Sequence, residues 1–571
     1  MSQLTEGWNL GSYTDSVAAR VERLGSDGFV ERLWRKDPSL WSADPAVQTM
    51  ISGALGWLDV GAEMESRLIE LDELAEEVLA DGTTDVAHMG MGGSSLAPLV
   101  LGHAFGERTG WPRLHVLDTT DPATVLALDH ELDLGRSLFI EASKSGTTAE
   151  PLAFGAYFYD RLDRTLGADA GRHMVTITDP GSPLVEQSEG RGYRRVILNF
   201  PDIGGRYSAL SYFGLLPARL TGIDVADLLQ RANRMAEACR EPKVVANPGV
   251  LLGATLGELA LRGRDKLTLV MPAPISTLGV WLEQLIAEST GKEGKGVLPI
   301  AGEPLGPASV YSDDRVFVAM DLEGEMDSEV EARLASLVSA GHPVVRLPLA
   351  SPAELGAEFF RWEIATATIG AVLGINPFDQ PNVQESKDIT NRLLAVVRET
   401  GSLPPSEATG SAGRLSFFGP GDAAGGSEAL TALLDTVSTG DYVALQAYLT
   451  EGEAVDTALA AIRLRLRDGL GVATTVGYGP RFLHSTGQFH KGGPASGVFL
   501  QLTADDARDV AIPGQPYGFG ELKRAQALGD LEALWQAGRR ALRIHLGPDP
   551  VAGLAELEDL VDRYVRGGGD A

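Results

Sequence analysis

The amino-acid sequence predicts an α/β protein with two doubly wound parallel-sheet domains and a third, C-terminal α/β region. Short apolar segments alternate with helical stretches from about residue 85, and the alternation starts again after about residue 245. Such alternation is typical of parallel sheets that carry helices on both faces. The chain has 571 residues, which is too long for one hydrophobic core, so several domains are expected.

The alternation assigns the elements in order along the chain. Residues 14–80 carry apolar side chains at three- and four-residue spacing, which predicts helices. The strands predicted for the first sheet are 85–89, 113–118, 137–141, 174–178 and 195–199. Those for the second sheet are 267–271, 316–320 and 344–347, with helices over 278–288 and 354–373. In the third region the predicted strands are 415–418, 498–502 and 542–544.

A segment rich in Gly, Pro, Ser and Thr, residues 399–413, predicts a linker before the third region. No repeat of 20–50 residues is present, which argues against a solenoid. We therefore divide the chain into an N-terminal helical segment (1–80), a first domain (81–230), a second domain (231–398) and a C-terminal α/β region (414–571).

The net charge of −30 argues against nucleic acid or an anionic membrane as a partner, because both need clustered positive charge. Cys239 is the only cysteine, so no intrachain disulfide and no cysteine-based zinc site can form. The first residues lack the basic and apolar regions of a signal peptide, and no apolar run reaches about 18 residues. These features predict a cytoplasmic protein.

The most informative segment is Glu-Ala-Ser-Lys-Ser-Gly-Thr-Thr at 141–148, between a predicted strand and a helix that starts at Ala149. A helix start offers free backbone N–H groups and a positive dipole, and four hydroxyl side chains add donors. These are Ser143, Ser145, Thr147 and Thr148. Gly146 permits a backbone conformation that other residues resist. The segment therefore predicts a phosphate site, while an ordinary Ser/Thr-rich helix cap is the structural alternative.

Two glycine-rich segments add candidate contacts. Gly-Met-Gly-Gly-Ser at 90–94 lacks the third glycine of a dinucleotide loop, so a backbone site near a phosphate or a sugar hydroxyl is favoured over a nucleotide site. The alternative is a tight turn that needs glycine. Gly-Gly-Arg-Tyr-Ser at 204–208 would let Arg206 approach an anion closely, unless it is an ordinary surface arginine.

Three further motifs carry acid, base or amide groups. Glu288 lies in the last turn of the predicted helix over 278–288 and could act as a general base or be a solvated helix-end residue. Gln380 and Lys387 are seven residues apart, which predicts one helix face that is either functional or simply polar. A loop at 479–493 holds His484 and His490, and dense polar groups in a loop favour function. A metal site there is not favoured, because no H-E-x-x-H motif or cysteine ligand is present.

In this order the motifs resemble those of the glucose-6-phosphate isomerase family. The matching segments are 90–94, 143–148, 204–208, 288–292 and 376–380, with Leu-His-Ser-Thr-Gly-Gln at 483–488 resembling the histidine loop of the family. That loop usually precedes the 376–380 motif, whereas here it follows it by about a hundred residues. This order resembles the isomerase half of bacterial transaldolase–isomerase fusions, although residues 1–80 are too few for a transaldolase barrel.

The resemblance implies two SIS-type (sugar isomerase) domains and reversible aldose–ketose isomerisation of glucose 6-phosphate and fructose 6-phosphate through a cis-enediol, in glycolysis and gluconeogenesis. It implies no cofactor and no metal, a sugar phosphate as the ligand, and a homodimer. The implied catalytic residues are Glu288 as the base, His484 and Lys387 for ring opening, and Arg206 for charge stabilisation. The implied substrate-binding residues are Gly92, Gly93, Ser94, Ser143, Lys144, Ser145, Thr147, Thr148, Gly205 and Gln380.

Two alternatives share parts of this site. An isomerase that also accepts mannose 6-phosphate would use every residue named. A sugar-phosphate sensor without catalysis would need the hydroxyl loop at 143–148 but no base, so the presence of Glu288, Arg206 and Lys387 argues against it.

Overall fold

The computed structural model describes residues 7–419 and 426–567. Its strands form three separate sheets, and helices cover them. The helices up to the end of the first sheet are α1 (Thr14–Ser26), α2 (Phe29–Trp34), α3 (Pro45–Ser52), α4 (Val60–Glu65), α5 (Leu68–Ala80), α6 (Leu96–Phe105), α7 (Pro122–Glu131), α8 (Ala149–Leu166) and α9 (Pro183–Gly190). Those up to the linker are α10 (Tyr212–Leu220), α11 (Val225–Ala238), α12 (Pro248–Leu261), α13 (Leu278–Leu282), α14 (Ser328–Ser339), α15 (Leu355–Leu373) and α16 (Val383–Thr400). The last are α17 (Ser427–Leu434), α18 (Glu453–Leu470), α19 (Gly487–Gly492), α20 (Phe519–Gln536) and α21 (Pro550–Gly567).

The first sheet has five parallel strands in the order β2-β1-β3-β4-β5. They are β1 (Asp85–Met89), β2 (Arg113–Leu117), β3 (Ser137–Ala142), β4 (Met174–Thr178) and β5 (Arg195–Leu198). All five were predicted to within a residue at each end, because short apolar runs bounded by turn residues define them. The chain runs from β1 to β2 on one side and returns to β3 on the other, so the strand order reverses between β1 and β3.

The second sheet is also parallel, in the order β7-β6-β8-β9. Its strands are β6 (Lys266–Val270), β7 (Leu298–Ile300), β8 (Arg315–Leu322) and β9 (Val344–Leu349). Three of them were predicted, but β7 was missed because it has three residues and a proline at its centre. Proline is accepted there because β7 lies at the edge of the sheet.

The third sheet has six strands in the order β10-β11-β15-β14-β12-β13. They are β10 (Gly410–Ala412), β11 (Leu415–Phe418), β12 (Tyr442–Tyr448), β13 (Ala473–Tyr478), β14 (Gly497–Thr503) and β15 (Arg540–His545). β12 to β15 are parallel, whereas β10 and β11 are antiparallel to their neighbours. The linker prediction for 399–413 was therefore wrong at its end, where β10 pairs with β11.

The N-terminal helices share a core with both of the first two sheets. Leu33, Trp57 and Leu74 belong to one buried apolar cluster with Val86 of β1 and Leu267 of β6. The predicted α/β architecture with two parallel sheets and a third α/β region is confirmed. The domain boundaries drawn above stay a prediction. Within the described ranges, no helix combines the length and the apolar character that crossing a membrane requires.

Candidate active site

The candidate site lies where the order of the first sheet reverses. The glycine segment 90–94 follows β1, and the hydroxyl loop, residues 143–148, follows β3, which is the neighbour of β1. Parallel strands end at the same edge of their sheet, and ligands of open α/β sheets bind at such a reversal. The topology therefore brings two of the predicted motifs to one crevice.

The hydroxyl loop presents two side chains to solvent at the start of α8. Ser145 and Thr147 are exposed, and their hydroxyl oxygens lie 2.9 Å apart. Gly146 between them has φ +64°, and a Cβ there would lie 2.3 Å from the hydroxyl of Ser182. The loop thus needs glycine at this position to hold both hydroxyls at the entrance of the helix.

Two further polar side chains of the loop, those of Ser143 and Lys144, point elsewhere. Ser143 is buried, and its Oγ has no hydrogen-bond partner among the described residues. The ammonium of Lys144 pairs with Asp179 and donates to the carbonyl of Pro201 at 3.2 Å. Direct contacts of Ser143 and Lys144 with a ligand stay predictions.

A cavity of about 330 Å³ opens beside the hydroxyl loop. It lies between the loop, helices α16 and α20 and the histidine loop that follows β13. Its polar lining residues are Ser145, Thr147, Thr148, Glu150, Gln384, Ser386, Lys387, Thr390, Asn391, His484, Lys491 and Gln526. Helix α20 and the histidine loop come from the third region, so that region completes the cavity wall.

His484 forms an acid–imidazole pair with the buried carboxylate of Glu150 in this cavity. Its Nε2 donates to Oε1 of Glu150 at 2.9 Å, because a carboxylate can only accept. Burial raises the pKa of Glu150, but His484, a backbone hydrogen bond and the charge of Lys387 together hold that pKa below its ordinary value. The pair fixes the tautomer of His484 and leaves Nδ1 as the nitrogen available to a ligand.

His490 lies in a different environment from His484. It is buried against the rings of Phe482, Tyr442 and Phe499, and its Nδ1 lies 3.2 Å from Nε2 of Gln446. Burial lowers its pKa well below the ordinary value, so the ring is neutral. The structure therefore separates the two histidines, with His484 in the cavity and His490 in an aromatic core.

Glu288 and Arg206 form a second centre that is almost closed to solvent, with exposures of 8% and 3%. Glu288 ends a π-helical segment, Glu283–Glu288, that continues α13. The helix predicted over 278–288 is therefore present, with a second half that is π-helical, and π-helical turns recur at functional sites. Oε1 of Glu288 lies 3.8 Å from Nη1 of Arg206.

The guanidinium of Arg206 is fixed by four neighbours. It donates to Oγ of Ser289 at 2.7 Å, to Oε1 of Gln380 at 3.0 Å, and to the carbonyls of Pro377 and Asp379 at 2.6 and 2.9 Å. An arginine has five N–H groups, so within the described residues these contacts leave one free, on Nη1, the nitrogen nearest Glu288. A fixed cation with one free donor beside a carboxylate can stabilise negative charge on a bound oxygen.

Gln380 and Lys387 do not share a helix face, which corrects the spacing argument. Helix α16 begins at Val383, so Gln380 precedes it and binds Arg206, while Lys387 lies in the helix and lines the cavity. Lys292 lies close to Arg206 and Asp379. Burial and the charge of Arg206 lower the pKa of Lys292 to about 8, although Asp379 acts in the opposite direction.

Close packing joins the motifs. A Cβ on Gly93 would lie 2.0 Å from the carbonyl oxygen of Gly205, so these two glycine segments touch through their backbones. A Cβ on Gly291 would lie 2.4 Å from Cα of Phe489, so the histidine loop packs on the end of the Glu288 helix. Gln284, one turn before Glu288, donates to the carbonyl of His484 at 2.7 Å. The cavity and the Glu288–Arg206 centre are therefore neighbours.

Sequence reasoning missed several polar residues of the site, among them Glu150, Gln284, Lys491 and Gln526. Glu150 and Gln284 each lie close to a predicted motif, and that proximity was the available signal. Lys491 is buried and pairs with Asp530 at 2.6 Å while lining the cavity. Gln526 lies in a helix of the third region, where the spacing of the sequence gives no indication of a site.

Comparisons with known proteins agree with this site. A family model described as phosphoglucose isomerase matches residues 71–297, which include the segments 90–94, 143–148, 204–208 and 288–292. A glucose-6-phosphate isomerase of Rubrobacter xylanophilus is 32% identical over 395 residues, which are 60% of this chain and 90% of that protein. An enzyme of that name from Thermus thermophilus is 32% identical over 422 residues, 66% of this chain and 99% of that protein.

Solved structures give the same fold. A crystal structure of a hypothetical protein from Thermus thermophilus aligns with a TM-score of 0.57 and 29% identity, over 68% of this chain and 99% of that one. A glucose-6-phosphate isomerase of Chlamydia trachomatis aligns with a TM-score of 0.52 and 21% identity, over 65% of this chain and 78% of that one.

Taken together, the paired parallel sheets and the buried acid–base groups at their edges define an enzyme of the aldose–ketose isomerase class that acts on sugar phosphates. More narrowly, the chain belongs to the phosphoglucose isomerase family, as the identity to relatives matched over 90% and 99% of their length shows.

Proposed function

We propose that this chain interconverts glucose 6-phosphate and fructose 6-phosphate by general acid–base catalysis. The observation that carries the proposal is the buried carboxylate of Glu288 beside the free N–H of Arg206 described above. Support comes also from family membership and from the second acid–base pair, Glu150 and His484, in the adjoining cavity.

The phosphate end of the sugar occupies the hydroxyl loop. Ser145, Thr147 and Thr148 supply hydroxyl donors, and the start of α8 supplies backbone N–H groups and a positive dipole. Lys387 adds a cation from α16 on the same cavity. A local positive site of this kind is needed because the protein carries a net charge of −30.

His484 and Lys387 open the sugar ring. Nδ1 of His484 takes the proton of the anomeric hydroxyl and a proton is returned to the ring oxygen, so the C1–O5 bond breaks and the C1 carbonyl forms. Glu150 stabilises the imidazolium that exists between these two transfers. The imidazolium donates this second proton and returns to its neutral form, and the ammonium of Lys387 is the other candidate donor.

Glu288 then moves the proton that defines the reaction. Its carboxylate takes the C2 proton while the C1 carbonyl oxygen gains one, which gives a cis-enediol. The carboxyl group returns its proton to C1 while the O2 hydroxyl loses its proton, which gives the ketose. The negative charge that develops on these oxygens lies beside Nη1 of Arg206, and Gln380 holds that guanidinium in place.

The direct test is a coupled assay. Purified protein is given fructose 6-phosphate together with an NADP-linked glucose-6-phosphate dehydrogenase, and NADPH formation is followed. We expect formation that depends on the protein and is lost in the Glu288→Gln variant. Absence of activity with the folded wild-type protein would overturn the proposal. Mannose 6-phosphate in the same assay format tests the broader specificity.

We expect the Ser145→Ala/Thr147→Ala double variant to raise KM more than it lowers kcat. These hydroxyls bind a phosphate that does not react, so most of their contribution is equal in the ground state and the transition state. A matched control is Thr165→Ala, which removes a hydroxyl at the far end of α8 that donates to the backbone carbonyl of Arg161. An unchanged KM in the double variant would place the phosphate elsewhere, with Ser94 the next candidate.

A further inference from the structure

Gln526 forms hydrogen bonds with Glu150 and Thr120 but takes no part in the proton transfers proposed above. It lies on α20, in the third region, and its side chain is 4% exposed. Its Nε2 donates to Oε1 of Glu150 at 2.6 Å, and its Oε1 accepts from the hydroxyl of Thr120 at 2.8 Å. The orientation of the amide is fixed, because a carboxylate can only accept and so must face the nitrogen.

The same oxygen of Glu150 accepts from both Gln526 and His484. The distances are 2.6 Å from Nε2 of Gln526 and 2.9 Å from Nε2 of His484. Three distant parts of the chain therefore meet at this carboxylate: α8, the histidine loop and α20. A donor that bonds to the charged form of a carboxylate favours that form.

We propose that Gln526 is a positioning residue for ring opening: its amide keeps Glu150 ionised and turned toward His484. The inference rests on the proposed function and extends it, because it assigns to α20 of the third region a part in the chemistry. Gln526 acts through Glu150, so its loss should slow reaction of cyclic sugars more than it weakens their binding.

The pH dependence follows from the groups around Glu150. His484 and Lys387 lower its pKa, Tyr448 of β12 faces it as a neutral phenol, and Lys491 is already paired with Asp530. The pKa of Glu150 lies below its ordinary value, so the carboxylate is ionised above that pKa and activity is lost as the pH falls through it. Removal of the donor raises this pKa, so the acid limb of the pH profile must move to higher pH.

The test uses Gln526→Met, which keeps the length of the side chain and removes its polar atoms. The control is Gln501→Met: Gln501 is fully buried and donates to the carbonyl of Ala527, next to Gln526, at 2.9 Å. We expect the acid limb of kcat for glucose 6-phosphate to move up by about one pH unit in Gln526→Met, because hydrogen bonds to a carboxylate lower its pKa. The limb should stay in place in Gln501→Met, and KM should change little in either.

Gln526→Glu serves as a second variant, and the titration of His484 serves as a second readout. Gln526→Glu retains the acceptor for Thr120 and places a second carboxyl group beside Glu150, so the limb should move further in the same direction. The NMR titration midpoint of His484, measured without substrate, should change in both Gln526 variants and not in Gln501→Met. A wild-type midpoint and a wild-type acid limb in a folded Gln526 variant would overturn the inference. If the wild-type protein lacks isomerase activity, the proposed function fails, and the titration still decides whether Gln526 controls the pair.

Discussion

Glu288→Gln should lower kcat for glucose 6-phosphate by about 10²–10⁴-fold, the range typical for loss of a general base. The substitution keeps the shape of the side chain and removes its ability to take the C2 proton. Arg206 keeps its contacts with Ser289, Gln380 and the carbonyls of Pro377 and Asp379. Binding of the substrate should therefore change little, and KM should stay close to its wild-type value.

The same π-helical segment supplies a matched control. Glu283 is also buried, accepts from the backbone N–H of Ala301 at 3.3 Å, and has its pKa raised by burial to about 7. Glu283→Gln should leave kcat within a few fold of wild type, because the group does not face Arg206. Steady-state kinetics of both variants with glucose 6-phosphate make the comparison. Near wild-type turnover in Glu288→Gln would remove Glu288 from the reaction.

The strands of the first sheet were predictable because their sequences are short and apolar, with turn residues on both sides. β12 and β13 were missed for the opposite reason. β12 is interrupted by Gln446, and β13 carries Thr474, Thr475 and Gly477, so neither is apolar throughout. Both lie next to other strands of a sheet, and it is this pairing rather than local composition that makes them strands.

The site was predictable where a motif follows a strand, and not where two distant segments meet. The hydroxyl loop and Arg206 lie in turns whose composition is unusual enough to be noticed. The pair of Glu150 and His484 joins positions 334 residues apart, and spacing along a chain contains no information about such a contact. Gln526 is a further case, because its partner Glu150 lies 376 residues away.

The position of the histidine loop explains how a changed motif order can keep a site. The loop follows β13 of the third sheet. Gln488 of the loop donates to the carbonyl of Gly291, just after Glu288, and to Oδ1 of Asn382, just before α16, both at 2.9 Å. Arg481 ties it to the first sheet through two bonds to Asp118, at 2.7 and 2.8 Å. The third region therefore brings His484 into contact with Glu150 of the same chain. This contact needs no second subunit.

His484→Ala should slow isomerisation of glucose 6-phosphate by about 10²-fold or more, as loss of a positioned acid–base group does. An aldose phosphate that lacks the hydroxyl needed for ring closure stays in the open-chain form. His484→Ala should leave the exchange of its C2 proton nearly unchanged. Only cyclic sugars need Nδ1 of His484, whereas both substrates need Glu288. The measurement is the ratio of the two rates, with exchange followed by NMR in heavy water.

The control for this ratio is His490→Ala, six residues further along the same loop. His490 lies in the aromatic core and is neutral, so its loss leaves a void against Phe482 and Phe499 and should lower the thermal midpoint of unfolding. Unfolding lowers both rates together and leaves their ratio unchanged, which separates a structural effect from a chemical one. A selective loss of the cyclic reaction in His490→Ala, with a normal ratio in His484→Ala, would transfer ring opening to His490. The proton transfer by Glu288 would then stand unaltered, because it begins only after the ring has opened.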